Sequence, residues 1–130
     1  MKKYILLLSA FIFMIPLGKA QTASDSLKSK LSKKWSLSAV EEFGVEYPPS
    51  ETQKNDEIEL KKDQTCTVVE NGKKYTGTWS LDKSRTYIIC NLNSGSIKRQ
   101  YKIISVKDEE AVFEYQSPDL VRTKYKFLAK

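Results

Sequence analysis

The sequence predicts an all-β fold, an eight-stranded antiparallel up-and-down barrel preceded by a short helix. Three observations carry that expectation. From Lys34 onward apolar and polar residues alternate with period two, as in strands with one buried face. The segments so marked are joined mostly by tight turns, and short links force neighbouring strands to pair antiparallel. Finally, eight strands laid out flat would leave two bare edges, which closure into a barrel removes. An open sheet or a two-sheet sandwich is the competing arrangement.

Taken in order, Gln21 to Ser32 is polar and rich in Ser and Lys. Ser24 or Asp25 suits the cap of a short helix with Leu27 and Leu31 on one face. The first strand, Lys34 to Glu42, places Trp35, Leu37 and Ala39 on one side. Phe43 to Asn55 is a long connection, because Gly44 and the Pro48-Pro49 pair do not suit a central strand. Asp56 to Lys61 alternates through Ile58 and Leu60, and Thr65 to Glu70 is rich in β-branched residues. Asn71-Gly72 then marks a hairpin, since both residues tolerate the positive φ of a type I′ turn.

Lys73 to Leu81 sets Tyr75, Gly77, Trp79 and Leu81 on one face. Thr86 to Leu92 follows a turn at Asp82 to Arg85, and Asn93-Ser94-Gly95 turns the chain again. Ser96 to Val106 aligns Ile97, Arg99, Tyr101 and Ile103. Ala111 to Gln116 carries Phe113 and Tyr115, and Val121 to Ala129 carries Thr123, Tyr125 and Phe127.

The first twenty residues read differently. Lys2 and Lys3, an apolar stretch from Ile5 to Pro16, and small residues at Gly18 and Ala20 form the pattern of a secretory signal peptide cleaved after Ala20. The apolar stretch is too short for a comfortable membrane span. The expectation is therefore a signal peptide at 1–20 and one domain at 21–130, exported to the periplasm or the cell exterior, with no stable membrane insertion of the mature chain. Loss of Lys2, Lys3 and Lys19 lowers the formal charge from +6 to +3. So mild a charge, with the signs interleaved, argues against nucleic acid as a partner.

Cys66 and Cys90 fall on strands separated by a third, about 9.5 Å apart at two strand spacings. A disulfide needs less than about 7 Å between Cα atoms, so two free thiols are expected. There is no histidine, which excludes Ser-His-Asp and Cys-His catalysis and leaves a poor ligand set for metals. Asp108-Glu109-Glu110 and Glu41-Glu42 fall in a turn and at a strand end. No acid/base pair, phosphate loop, cofactor or metal motif stands out, and the chain reads as a non-enzyme.

The motifs Leu31-Ser32-Lys33-Lys34-Trp35-Ser36-Leu37, Ile58-Glu59-Leu60 with Lys62-Asp63, and Gly77-Thr78-Trp79-Ser80-Leu81-Asp82, in this order and spacing, give the chain a resemblance. From about Leu31 to Phe127 it resembles the small lipocalin-like domains of exported bacterial proteins, in the wider calycin-type group. True lipocalins usually carry Gly-x-Trp on the first strand. Here Lys33-Lys34-Trp35 departs from that, and Gly-Thr-Trp sits on the fourth strand instead. The resemblance implies an eight-stranded barrel, a short helix near one end, and a large first loop, here Phe43 to Asn55, at an open mouth.

Trp35, Leu37 and Phe127 are expected to be structural core. Trp79, Tyr75, Tyr101, Phe113, Tyr115 and Tyr125 share the inward parity and suit either a packed interior or the walls of a cavity for a hydrophobic or amphiphilic ligand. An inward Arg99 is costly unless paired, so it needs a carboxylate partner or the head group of an acidic ligand such as a fatty acid; a bulge that turns it outward is the alternative. Phe43, Val45, Tyr47, Pro48 and Pro49 form an apolar loop tip. They suit the second functional reading, a protein-interaction or inhibitor module acting on a protein partner through residues 43–55.

Overall fold

A computed structural model describes residues 26–130; the expected signal peptide and the capping residues Ser24 and Asp25 lie outside them. A short helix α1, residues 26–31, leads into the strands β1 (Lys34–Glu42), β2 (Val45–Tyr47), β3 (Glu57–Leu60), β4 (Thr65–Glu70), β5 (Lys73–Leu81), β6 (Tyr87–Leu92), β7 (Ile97–Val106), β8 (Glu110–Gln116) and β9 (Arg122–Ala129). From β3 to β9 each strand pairs antiparallel with the next. β1 pairs with β3 along one edge and with β9 along the other, which closes an eight-stranded barrel.

The long connection after β1 departs from expectation. Phe43 and Gly44 both adopt positive φ, 51° and 76°, and fold the next residues back so that β2 pairs with the far end of β1, Glu42 opposite Val45. Salt bridges from Lys126 to Glu46 at 2.6 Å and from Lys124 to Glu41 at 3.8 Å join this hairpin to β9. Pro48 and Pro49 follow β2 and end it. The Asn71-Gly72 turn is as expected, with φ of 52° and 79°.

Two bulges reset the inward rows. In β1, Leu37 faces Phe127 but Ala39 faces Lys126, with Ser38 as the extra residue. Its hydroxyl donates to the Lys126 carbonyl at 3.0 Å. Beyond the bulge Val40 and Glu42 point inward, opposite Tyr125 and Thr123. Ala39, expected on the inner row, therefore stands on the outer face, although it is covered. A second bulge in β7 lies between Ile103 and Ser105 and leaves Ile104 exposed.

Because turns alternate between ends, the barrel has a helix end and a mouth. At the helix end Leu31 is fully buried, and the Trp35 indole N–H donates to its carbonyl at 3.0 Å. The Trp35 ring meets Phe113 edge-on, centroids 6.3 Å apart, and Phe113 in turn meets Phe127 at 5.4 Å. Trp79 is buried and donates its indole N–H to Lys61 at 2.8 Å, which secures the turn between β3 and β4.

Cys66 and Cys90 are free, as expected, and both are buried. The two thiols nevertheless influence each other, because barrel curvature draws inward side chains together and Gly77, opposite Cys66, places no side chain between them. The Cys66 thiol, and burial after it, push the Cys90 thiol up.

Candidate ligand cavity at the barrel mouth

The core rows fill most of the interior, and what remains is a cavity of about 50 Å³ toward the mouth. Leu37, Ile58, Val68 and Phe127 form its apolar floor, and Tyr101, Tyr115 and Tyr125 stand above them. Such a space holds a few waters or a small head group. Sites for drug-sized molecules run to roughly 300–1,000 Å³. The tyrosines explain the difference: their rings occupy the interior, with Tyr101 and Tyr115 centroids 6.0 Å apart and Tyr125 at 6.3 Å from Phe127.

The phenol groups are polar ends on an apolar frame. Tyr101 is 5 % exposed, yet none of the described residues hydrogen-bonds to its hydroxyl or to those of Tyr115 and Tyr125. Every fully enclosed polar side-chain atom among the described residues has a partner. The Tyr101 hydroxyl is therefore open to the cavity that its side chain lines. Burial pushes the Tyr101 phenol well up, and Cys90 and Glu70 add to the shift.

Carboxylates ring this space. Register places Arg99 opposite the buried Cys90, on the inward row. Its partner is Glu70 at the end of β4, Nε to Oε2 3.1 Å. The guanidinium also lies 6.0 Å from the Tyr115 ring centroid, within the range of a cation–π contact. Of the two partners open to an inward Arg99, the fold supplies the carboxylate. Asp56, just before β3, accepts hydrogen bonds from the Asn71 and Gly72 amides at 3.0 and 3.3 Å, so it braces the β4–β5 hairpin at the rim. Glu42 accepts from the Thr123 hydroxyl at 3.0 Å.

Neither Asp56 nor Glu70 is a candidate from sequence alone. The inward parity of Cys66 and Val68 extends to Glu70, but the adjacent pair Val68-Val69 hides which face of β4 is inward. Asp56 carries no local mark, since its partners lie 15 and 16 residues on.

The remaining candidates separate by position. Trp79 and Phe113 belong to the packed interior away from the cavity. Tyr75 packs against the core without lining the cavity. Leu37 and Phe127, expected as core, form part of the cavity floor. Phe43 is 86 % exposed at the tip of the β1–β2 hairpin, and Val45 and Tyr47 are about half exposed. Phe43 shares an open groove with Leu120 and Val121 of the β8–β9 turn. Among the described residues no group of three His, Cys, Asp or Glu side chains could hold a metal ion, and no helix is long and apolar enough to cross a membrane.

Residues 31–113 match the family model of the lipocalin-like domain. The chain belongs to that family. The fold of the lipocalin-like domain is also that of a lipocalin-like protein from Bacteroides uniformis ATCC 8492, whose crystal structure aligns with a TM-score of 0.56 at 16% identity, over 78% of this chain and 99% of that one. No curated protein sequence matches it. Lipocalin-like barrels are characteristically non-catalytic, and this lipocalin-like domain is consistent with non-catalytic binding of a small ligand.

Tyr125 offers a handle on the cavity. Burial, then the charges of Glu70 and Glu42, push its phenol from 10.0 up to about 12. The folded lipocalin-like domain thus keeps a proton that the unfolded chain releases at lower pH. By linkage, this contribution to stability is complete below pH 10 and is lost as pH rises toward 12. Denaturant midpoints should fall across that window, and Tyr125→Phe should flatten the fall; an unchanged profile in the variant counts against the assignment.

Proposed function

We propose that this lipocalin-like domain is an exported, non-catalytic binder of a small hydrophobic or amphiphilic molecule, seated at the mouth of the barrel with its polar end among Tyr101, Tyr115 and Tyr125. The carrying observation is the set of phenol hydroxyls left without protein partners above an apolar floor. Polar groups so placed orient a ligand whose body lies on the floor. Tyr115 and Tyr125 are only partly buried, so a ligand reaches them from the mouth, and a longer chain enters only if their rings give way. Export is supported by the N-terminal pattern alone; N-terminal sequencing of secreted or periplasmic material should then begin at Gln21.

Thermal shift against lipids, haem and bile-acid-like compounds tests the binding. A ligand at a hundred times its Kd adds about 2.7 kcal/mol, which is several degrees in a domain of this size. Silence across such a panel removes the support for this reading.

A second reading rests on a separate observation, the exposed apolar tip of Phe43, Val45 and Tyr47. On that reading the domain acts as an interaction or inhibitor module through residues 43–55. Capture of a protein partner that Phe43→Ser with Tyr47→Ser abolishes, while small-ligand shifts persist, distinguishes the two.

A further inference from the structure

We infer that the mouth cavity accepts the head of an organic cation, a primary or quaternary ammonium carrying an apolar tail, in preference to a carboxylate. This rests on the binding reading above and narrows it to one class of ligand.

The first ground is the charge that lines the space. Asp56, Glu57 and Glu70 line the cavity, and no lysine or arginine does. Two of these carboxylates have cationic partners beyond the lining, Glu57 in Lys34 at 3.5 Å and Glu70 in Arg99 at 3.1 Å. Asp56 does not. Its oxygens accept from the Asn71 and Gly72 amides, neutral donors that bring no positive charge. Glu42, inward beyond the Ser38 bulge, is likewise held by a neutral hydroxyl, that of Thr123. With Arg99 already engaged by Glu70, the cavity lining itself carries carboxylates and no cationic side chain.

The second ground is the aromatic lining. Tyr101, Tyr115 and Tyr125 offer ring faces that attract cations, and their hydroxyl oxygens can accept from an ammonium N–H. Phenols also donate, so by themselves they suit an anion equally well. Charge decides between the two. An anion at this spot meets the same field that Tyr125 meets when it ionises, and its phenol is held up to about 12 by burial and by Glu70, Glu42 and Asp56. The free hydroxyl of Tyr101, on a side chain otherwise enclosed, shows that the cavity has polar capacity which the fold itself does not use. About 50 Å³ suits a compact head and excludes a fused-ring system unless the wall opens.

Calorimetric titration with four probes of one tail length tests this: octyltrimethylammonium, octylamine, octanoate and octanol, each below its micelle concentration, at pH 7 and low salt. The two cations should bind roughly tenfold more tightly than octanoate, the preference that a little over 1 kcal/mol supports. Two variants carry opposite signs. Glu70→Gln frees Arg99, so cation binding should weaken several-fold and octanoate binding should strengthen. Arg99→Gln should strengthen cation binding. Mere loosening of the mouth would weaken cations in both variants, which also counts against the inference. If octanoate or octanol binds as tightly as the cations, the choice of a cation is overturned and the binder reading survives. If none of the four binds, the binder reading fails at this site as well.

Discussion

A Gly77→Ala variant is expected to be strongly destabilised, because the added Cβ would lie 1.9 Å from the Asn91 carbonyl oxygen, 2.8 Å from its carbon and 2.9 Å from the Leu92 Cα. All three are backbone atoms of β6, and β6 is itself tied to β7. No side-chain rotation relieves the overlap, so two paired strands must separate. Overpacking typically costs about 1–3 kcal/mol, and neighbours that cannot move put this site at the upper end, a large share of the stability of a domain this size. Gly72→Ala is the comparison. There φ is +79° and nothing lies within 4 Å of the added carbon, so only the backbone preference is lost, about 1–2 kcal/mol. Thermal melts of the two variants should differ clearly in midpoint, and equal melts would mean that the β5–β6 contact is looser than described.

Trp35→Ala is expected to lower stability by about 3–5 kcal/mol, the usual cost of emptying a buried aromatic site. In a domain of about 100 residues that is a fall in Tm of more than roughly 12 °C. The damage should spread to α1, because the indole N–H bond to Leu31 disappears with the ring. A helix of one to two turns has little stability of its own, so amide exchange around Leu31 should quicken beyond the change in global stability. Trp35→Phe keeps a ring and loses the N–H. Its smaller cost, with the same quickening at Leu31, would separate the bond from the packing. If exchange near Leu31 follows only global unfolding in both variants, the bond contributes nothing local.

Much of this architecture is legible in the residues. Alternation through Lys73 to Leu81 corresponds to β5 end for end, and Asn71-Gly72 marks its hairpin because few other pairs accept those dihedrals. Closure follows from the need to cover edges, and Trp35 from its place on an apolar face. What escapes notice depends on neighbours. β2 is three residues in a segment rich in turn formers, and it is a strand only because the edge of β1 passes beside it. The Ser38 bulge shifts Glu42 to the inside without leaving a mark in the order of residues. Arg99 announces a problem of charge but not its solution, since Glu70 stands 29 residues away. Cavity size is the least legible of all. The same tyrosines suit a solid interior or a hollow one, and rotamers decide between them.

The pairing of Trp35 with Ala129 has a consequence for how the molecule is made. The seam of the barrel joins the first strand to the last, so it cannot close before β9 has been made. The other strands zip to their neighbours, at low entropic cost, while β1 and β9 wait with an open flank. Ring closure over so long a stretch is slow compared with local hairpins, and during that delay the unpaired flank is open to another chain.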